Sequence, residues 1–355
     1  MKSSRMNRQM ELLQELISTP SFSKEENTSA QIIHQHLIQS GIACQQHLNN
    51  VWAVNKHFSS EKKTLLLNSH HDTVRPNPGY TRDPFSPSIE DGKLFGLGSN
   101  DAGGALTSLI GVFCELYEEK NLPVNLVVAA TAEEEISGRN GIEGLWPLLP
   151  NIDFAIVGEP TKLDVAVAEK GLMVLDCVAT GVAGHAAREE GSNAIYKAMR
   201  DVEWFRAFAF PKISETLGPV KMSVTIIQAG QAHNQVPAEC RFTVDVRATD
   251  AYSLEELLET IRQNVQSTVT PRSLRLRPSS IDLHHPLVQS ALASGSKSYG
   301  SPTTSDQSLI PVASIKIGPG DSARSHSADE FIYVEEIEQG LKKYKEIIFG
   351  LSKFL

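Results

Sequence analysis

Five short stretches of the sequence carry side chains that could bind metal ions. They are His70-His71-Asp72, Asp101 in GSNDAGG, Glu133-Glu134-Glu135, Glu159 in VGEPT and His326 in GPGDSARSHSADE. Mixed imidazole and carboxylate ligands suit zinc or a similar divalent ion and leave open positions for water. Such an ion lowers the pKa of water toward about 7, and a nearby carboxylate can take the proton. Together, these residues predict metal-assisted hydrolysis.

Strand periodicity distinguishes the two adjacent histidines of LLLNSHHDTV, residues 65–74. Side chains two residues apart on a strand face the same way, so His70 and Asp72 share a face and His71 points away. A carboxylate beside a metal-binding imidazole fixes its tautomer. We therefore predict that His70 is a ligand and that Asp72 orients it, although a histidine that caps a turn is the alternative.

The two acidic segments each have an alternative explanation. Three consecutive carboxylates repel one another unless a cation or a proton relieves them, but an acidic loop in solvent would also contain them. Asp101 lies in a glycine-rich turn before a helix, where it could bridge two cations or serve as an N-cap. The glycines do not match a nucleotide-binding loop.

Apolar strands that alternate with helices must position these residues. VWAVNK, KTLLLNSH, VNLVVAAT and IDFAIV are mostly continuous apolar runs, which predicts an α/β domain with a mixed, mostly parallel sheet covered by helices on both faces. In such sheets, ligands gather beyond the carboxyl ends of the strands. Ser23 and Glu26 have the spacing of a capping box and predict a helix start.

The pattern changes after about residue 170, where strands such as KMSVTIIQAG and ECRFTVDVRAT alternate polar and apolar residues. With two intervening helical patterns they predict an inserted α+β unit of βαββαβ type. The predicted domains are 1–168 for the first part of the catalytic domain, 169–278 for the insertion and 279–355 for the second catalytic part.

Composition excludes several classes of partner. The chain has 355 residues and a net charge of −9, which argues against nucleic acid and anionic membranes as partners. Its four cysteines are isolated in sequence, as in proteins of reducing compartments. Neither a signal peptide nor a run long enough to cross a bilayer is evident, so we expect a cytoplasmic protein.

The ordered motifs resemble the M20 family of dinuclear zinc aminoacylases and peptidases over nearly the whole chain. SHHDTV is similar to the family's G-H-x-D-x-V element, with Ser69 in place of glycine. GSNDAGG resembles its bridging-aspartate element, AEEE its D-E-E, VGEPT its fourth ligand segment and GPGDSARSHSADEF its closing histidine loop. Within the family, the acetylornithine deacetylases look most similar, and the carrier-linked lysine deacylases almost as similar.

The resemblance implies a role for each of these residues. Two divalent ions are expected, most simply Zn²⁺, with Co²⁺ or Mn²⁺ as alternatives. The implied ligands are His70, Asp101 as the bridge, Glu135, Glu159 and His326. Glu134 would be the general acid/base and Asp72 would orient His70. The residues alone do not decide among the three glutamates; the resemblance does.

The inserted domain resembles the family's ferredoxin-like lid, which also forms a homodimer interface. There, His185 in GVAGHAAR would enter the partner's site and stabilise the oxyanion. Asn234 and Arg247 would contact the substrate, and an arginine suits the α-carboxylate of an amino acid. A turn residue and a surface strand charge are the alternative explanations for Asn234 and Arg247.

The predicted reaction is attack of a metal-bridging water on the amide of an N2-acyl amino acid, with Glu134 as general acid/base. N-acetyl-L-ornithine in arginine biosynthesis is the first candidate substrate, with N-acetyl-citrulline or N-succinyl-ornithine close to it. Alternative specificities are a carrier-linked lysine deacylase, a succinyl-diaminopimelate desuccinylase and a dipeptidase. A non-catalytic homologue that only binds a metal or ligand is an alternative of another class.

Overall fold

The computed structural model describes residues 2–188 and 190–355, and the side chains from residue 8 onward. The chain divides into two compact units. Unit 1 comprises Met1–Val167, Ser280–Tyr299 and Ser305–Leu355, and unit 2 comprises Ala168–Ser279 and Gly300–Thr304. The short segment of unit 2 is held there by Lys170, whose N–H donates to Ser301 O (3.1 Å) and whose carbonyl accepts from Thr304 Oγ1 (2.7 Å).

The helices of the described chain are α1 (Lys2–Ile17), α2 (Asn27–Gln39), α3 (Gly104–Leu116), α4 (Ile142–Leu145), α5 (Ala194–Ala207), α6 (Leu254–Asn264), α7 (Pro286–Ala293) and α8 (Val334–Gly350). The strands are β1 (Cys44–His47), β2 (Asn50–Val54), β3 (Thr64–His70), β4 (Ser88–Glu90), β5 (Lys93–Phe95), β6 (Asn125–Thr131), β7 (Phe154–Val157), β8 (Val165–Glu169), β9 (Gly171–Thr180), β10 (Gly184–His185), β11 (Lys221–Ala229), β12 (Gln235–Val236), β13 (Glu239–Ala248), β14 (Thr268–Pro271), β15 (Ser279–Ser280), β16 (Ser298–Ser301), β17 (Ala313–Lys316) and β18 (Phe331–Tyr333).

A mixed sheet with a parallel centre organises unit 1. Its strand order is β1-β2-β6-β3-β7-β17-β8-β15, with β16 also paired to β8. The strands β6, β3, β7 and β17 are parallel neighbours, and β2 pairs antiparallel with β6. The predicted α/β fold with a mostly parallel central sheet is confirmed.

Strand β3 shows why its sequence reads as a continuous apolar run. Leu65 and Leu67 belong to the core that includes residues of α2, α3, α7 and α8. Leu66 belongs to a second core on the other face, with residues of α4. Since both faces are buried, both sets of alternating side chains must be apolar. The same alternation continues into His70 and His71.

The turn before α3 depends on close main-chain approach at Gly103. A Cβ at this position would lie 2.4 Å from Gly98 O, so a larger residue could not occupy it without moving the turn. Ser99–Gly103 form a short π-helical segment in which Asp101 has non-helical angles (φ −118°, ψ 98°). The helix predicted to start near Asp101 therefore begins slightly later, at Gly104.

Unit 2 contains a four-stranded antiparallel sheet in the order β11-β13-β9-β14. With α5 between β9 and β11, and α6 between β13 and β14, its element order is βαββαβ. One face of the sheet packs on α5 and α6 through a separate apolar core. Its role as a lid and dimerisation domain stays a prediction. In the part of the chain that the structure describes, no helix is long and apolar enough to span a membrane.

Candidate metal centre

Two groups of side chains in unit 1 could each hold a metal ion, and they share Asp101. His70, Asp101 and Glu159 form one group, and Asp101, Glu135 and His326 form the other; within each, the ligand atoms lie within 4.8 Å of one another. His70 is the last residue of β3, while Glu135 and Glu159 follow β6 and β7, which both pair parallel with β3. The carboxyl ends of parallel strands thus bring distant residues together, as the sequence predicts.

The imidazole of His70 presents one nitrogen to the acidic side chains. Its Nδ1 donates to the main-chain oxygen of Asp72 (3.0 Å), which leaves Nε2 as the acceptor nitrogen. Nε2 is buried without a hydrogen-bond partner. It lies 3.4 Å from Asp101 Oδ1 and 3.7 Å from Glu159 Oε1. An orphaned imidazole nitrogen beside carboxylate oxygens fits a divalent cation.

Electrostatics around His70 reflect the concentration of acid. Burial alone would lower the pKa of His70, but the nearby carboxylates of Glu134, Asp101 and Asp72 raise it well above its ordinary value. Burial also raises the pKa of Glu159 to about 8. Buried carboxylates at this density must take up protons or face a compensating positive charge, which bound cations would supply.

The second group contains the half-exposed His326. Its Nε2 lies 3.1 Å from Glu135 Oε2 and 3.6 Å from Asp101 Oδ2. The hydrogen bond with Glu135 raises the pKa of His326 to about 9, against the effect of burial. Asp101 therefore directs one carboxylate oxygen to each histidine, which is the arrangement expected of a carboxylate that bridges two ions.

The structure separates the three consecutive glutamates that sequence reasoning leaves equivalent. Glu133 has a left-handed φ of 57°, and its carboxylate accepts hydrogen bonds from Asn140 Nδ2 (2.9 Å) and Asn140 N (3.3 Å). Glu134 Oε2 faces His70 Nε2 at 3.9 Å, whereas Glu135 faces His326. Neither group of possible ligands in the described chain includes Glu134. Its carboxylate lies beside the possible ligands and belongs to neither group.

Asp72 contacts the segment that contains Glu134 and Glu135 as well as His70. Its carboxylate accepts hydrogen bonds from Glu134 N (3.0 Å), Glu135 N (3.1 Å) and Ser23 Oγ (2.6 Å). The contact with His70 Nδ1 through Asp72 Oδ1 is longer, at 3.4 Å. Asp72 thus holds the main chain of the two glutamates in place, while its carbonyl oxygen orients the imidazole.

The predicted capping box at Ser23 and Glu26 is wrong. Helix α2 begins at Asn27, and Glu26 is its N-cap without a side-chain capping bond. Ser23 instead donates to Asp72, and the fully buried Glu26 accepts from Asn49 Nδ2 (2.8 Å) and the main-chain N–H of Lys24 (2.6 Å). Ser23 thus contacts a residue 49 positions away and Glu26 one that is 23 positions away, and a local pattern cannot report such contacts.

His71 lies on the opposite face of the strand, as its parity predicts. Its Nε2 donates to Asn49 O (2.8 Å), and its Nδ1 accepts from Ser29 Oγ (2.9 Å). Burial lowers the pKa of His71 to about 4, so it remains neutral near pH 7. His71 is a packing residue between β3 and α2, outside both groups of possible ligands in the described chain.

Sequence reasoning missed two buried acids next to the site. Glu330 accepts hydrogen bonds from the main-chain N–H groups of Gly98, Asn100 and Asp101. Asp306 Oδ2 accepts from Asn68 Nδ2 (2.9 Å) and Thr131 Oγ1 (2.8 Å), and burial raises its pKa to about 6. Glu330 lies four residues after His326, inside a motif already singled out; Asp306 has no comparable local signal.

The three residues predicted in the inserted domain lie in unit 2. His185 pairs with Gln235 across β10 and β12, and Ala186 N donates to Asn234 O (3.1 Å), so His185 and Asn234 are neighbours. Arg247 makes a two-pronged ion pair with Asp245 on the same strand (2.8 and 3.0 Å). Their substrate and transition-state roles stay predictions.

Comparison with known proteins identifies the family. Residues 66–349 match the model of peptidase family M20/M25/M40. The chain belongs to this family. It is therefore a hydrolase of the metal-dependent amidohydrolase type, and the two ligand groups sharing Asp101 are consistent with the family's two metal ions.

Relatives with different specificities have similar identity to this M20 protein. It is 29% identical over 313 residues to the acetylornithine deacetylase of Myxococcus xanthus, covering 81% of this chain and 80% of that protein. It is 26% identical over 278 residues to succinyl-diaminopimelate desuccinylase 2 of Ruegeria sp., covering 73% and 69%. It is 29% identical over 290 residues to the [LysW]-lysine/[LysW]-ornithine hydrolase of Saccharolobus islandicus, covering 79% of each.

Solved structures confirm the fold. A tripeptidase from Staphylococcus aureus superposes with a TM-score of 0.81 at 20% identity, covering 98% of this chain and 99% of that one. A dinuclear metal-binding peptidase of the M20 family from Bacillus subtilis gives a TM-score of 0.75 at 14% identity, covering 99% and 100%.

Proposed function

We infer that this M20 protein hydrolyses the amide bond of N2-acyl amino acids, with N-acetyl-L-ornithine as the first candidate substrate. N-acetyl-citrulline and N-succinyl-ornithine are close alternatives, and such a reaction would serve arginine biosynthesis. The deacetylase of Myxococcus xanthus, at 29% identity, supports this choice of substrate. A cytoplasmic location would suit this reaction.

The observation that carries the proposal is that the three consecutive glutamates face different neighbours. The carboxylate of Glu133 accepts a hydrogen bond from Asn140. Glu135 faces His326, and Glu134 faces His70. A hydrolytic site needs one carboxylate that is close to the ions but free to exchange a proton. Glu134 has this position.

The proposed ligands are His70, Asp101, Glu135, Glu159 and His326, with Zn²⁺ as the preferred ion and Co²⁺ or Mn²⁺ as alternatives. Bound divalent cations would supply a lowered pKa for water and polarisation of the amide carbonyl. Glu134 would take a proton from the attacking water and deliver it to the leaving amine nitrogen. Asp72 would keep Glu134 and Glu135 in position through their main-chain N–H groups.

Residues of unit 2 complete the proposal. Arg247 would bind the α-carboxylate of the substrate, and Asn234 would contact the substrate beside it. His185 would donate a hydrogen bond to the developing oxyanion in the partner subunit's site. The proximity of His185 and Asn234 in the fold supports their acting in one region.

The proposed homodimer would form through unit 2. Strand β11 is an edge of its sheet, and Ile226 and Ile227 on it are 50% and 53% exposed. On α5, which packs beside β11, Tyr196 and Met199 are also exposed. A long edge strand with exposed apolar side chains is suited to pairing with a second chain.

A second candidate function is another specificity of the family: desuccinylation or release of an amino acid from a carrier protein. The desuccinylase and carrier-linked hydrolase relatives, at 26% and 29% identity, support this second candidate. A dipeptidase is the remaining specificity to test.

Steady-state assays with added zinc on acetyl-, succinyl- and carrier-linked amino acids and on dipeptides test these functions. We expect the highest kcat/KM for N-acetyl-L-ornithine. Preference for a succinyl or carrier-linked substrate would replace the first proposal by the second. Absence of hydrolysis across the whole panel would favour a non-catalytic metal- or ligand-binding protein.

A further inference from the structure

We propose that Glu330 is a positioning residue that fixes Asp101 as the carboxylate shared by both ion groups, so that its removal weakens both ions together. The inference rests on the proposed metal-dependent function. Glu330 belongs to neither group of possible ligands, but its carboxylate holds the main chain that carries Asp101.

Three hydrogen bonds connect Glu330 to the turn before α3. Glu330 Oε2 accepts from Gly98 N (3.0 Å), and Oε1 accepts from Asn100 N (2.8 Å) and Asp101 N (2.9 Å). Glu330 is 2% exposed, so water does not compete freely for these bonds. Since 229 residues separate Glu330 from Asp101, the contact is a tertiary one that joins the closing loop to the turn.

The turn needs an acceptor with two oxygens. Its N–H groups precede α3 and lie outside the regular hydrogen bonds of that helix. Asp101 has non-helical angles, and Gly98 has a left-handed φ of 76°. Only a carboxylate offers acceptor oxygens on both sides of the side chain. A glutamine would keep the shape but would leave at least one buried N–H facing an amide NH₂ group.

Displacement of this turn would affect both groups at once. Asp101 Oδ1 lies 3.4 Å from His70 Nε2, and Asp101 Oδ2 lies 3.6 Å from His326 Nε2. The other four possible ligands each belong to one group only. If Asp101 is displaced, the affinities for both ions should therefore fall, rather than the affinity for only one of them.

The test compares Glu330→Gln with a matched control, Asp201→Asn. Asp201 in unit 2 is also a buried carboxylate that accepts main-chain N–H groups, those of Gln266 (3.1 Å) and Ser267 (2.8 Å). Ion-free protein is titrated with Zn²⁺ against a chromogenic chelator, and urea unfolding is measured in parallel. We expect both Zn²⁺ affinities of Glu330→Gln to fall by about 10- to 100-fold, the range for loss of a partner behind a ligand. Asp201→Asn should lose stability but bind both ions as the wild type does.

Three results would overturn the inference: wild-type affinities in Glu330→Gln, loss of one affinity only, or an equal loss in Asp201→Asn. If Glu330→Gln does not fold, Glu330→Asp replaces it, because the shorter side chain keeps the charge but withdraws both oxygens from the turn. Wild-type affinities in that variant would equally contradict the proposal. A wild-type protein that binds two Zn²⁺ ions but hydrolyses no N-acyl amino acid would refute the proposed function and leave the role of Glu330 standing.

Discussion

Replacing the adjacent residues His70 and His71 by alanine should produce different defects, one in ion binding and the other in stability. His70→Ala removes the imidazole whose Nε2 faces Asp101 and Glu159, and we expect it to lose one bound ion and turnover. His71→Ala removes a buried ring that bonds to Ser29 and Asn49, and we expect it to lose stability while retaining both ions. The comparison tests the strand parity on which the site assignment depends.

The magnitude for His71→Ala follows from its contacts. Two hydrogen bonds contribute roughly 0.5–1.5 kcal/mol each, and leaving the partly buried acceptor Asn49 O unpaired would add to the loss. The ring is 6% exposed, so its removal also leaves a cavity. We expect the free energy of unfolding of the ion-free protein to fall by about 2–4 kcal/mol in total.

The assay combines urea unfolding in the presence of a chelator with elemental analysis of zinc per chain after dialysis. His71→Ala should show a lower unfolding midpoint with two zinc ions per chain, and His70→Ala should show about one. Equal zinc loss in both variants would mean that the register at the end of β3 has been misassigned. A His70→Ala protein that retains both ions and full turnover would remove His70 from the site.

Further predictions concern other elements of the molecule. Glu134→Gln should retain both ions but lose about 10²- to 10⁴-fold in kcat, whereas Glu133→Gln should mainly lower the unfolding midpoint; zinc analysis with steady-state kinetics separates the two. His285 caps α7 by accepting Leu287 N (3.2 Å) at Nδ1, and burial lowers its pKa. Because the imidazole of His285 then binds a proton at higher pH in the unfolded chain than in the folded one, the free energy of unfolding should fall as the pH drops below about 6.5. His285→Asn should reduce this pH dependence of the free energy of unfolding, measured by urea titration. Ile226→Lys should convert a dimer to a monomer in light scattering; a monomeric wild type would contradict the proposed interface.

Local periodicity was sufficient for the strands and for the histidine parity. The alternation of Leu65, Leu66 and Leu67 between two cores continues through His70 and His71, so a rule of period two holds to the strand end. The parallel pairing of β3 with β6 and β7 then explains why distant acidic segments meet. These features follow from short-range backbone geometry and from a general property of parallel sheets.

The same local rules failed where side chains are used by distant partners. Ser23 has the spacing of a capping residue but donates to Asp72, 49 residues away. Glu133 differs from Glu134 and Glu135 in its left-handed φ and its bonds to Asn140, neither of which a run of identical residues encodes. Asp306 meets Asn68 across 238 residues, so no window of sequence contains both. Hydrogen bonds between polar side chains and residues far away in the sequence could therefore not be predicted from local patterns.

Main-chain N–H groups explain how so many acids can be placed in one buried region. Asp72 accepts the N–H groups of Glu134 and Glu135, and Glu330 accepts those around Asp101. In both cases one buried carboxylate fixes the backbone from which another projects toward the histidines. Against the effect of burial, His70 and the hydrogen bond from Ser23 lower the pKa of Asp72, whereas burial and the charge of Asp101 raise the pKa of Glu330 to about 8. The projecting carboxylates repel one another. The ion-free protein therefore keeps a preformed acidic site, in which a proton or a divalent cation beside Asp101 would relieve the repulsion.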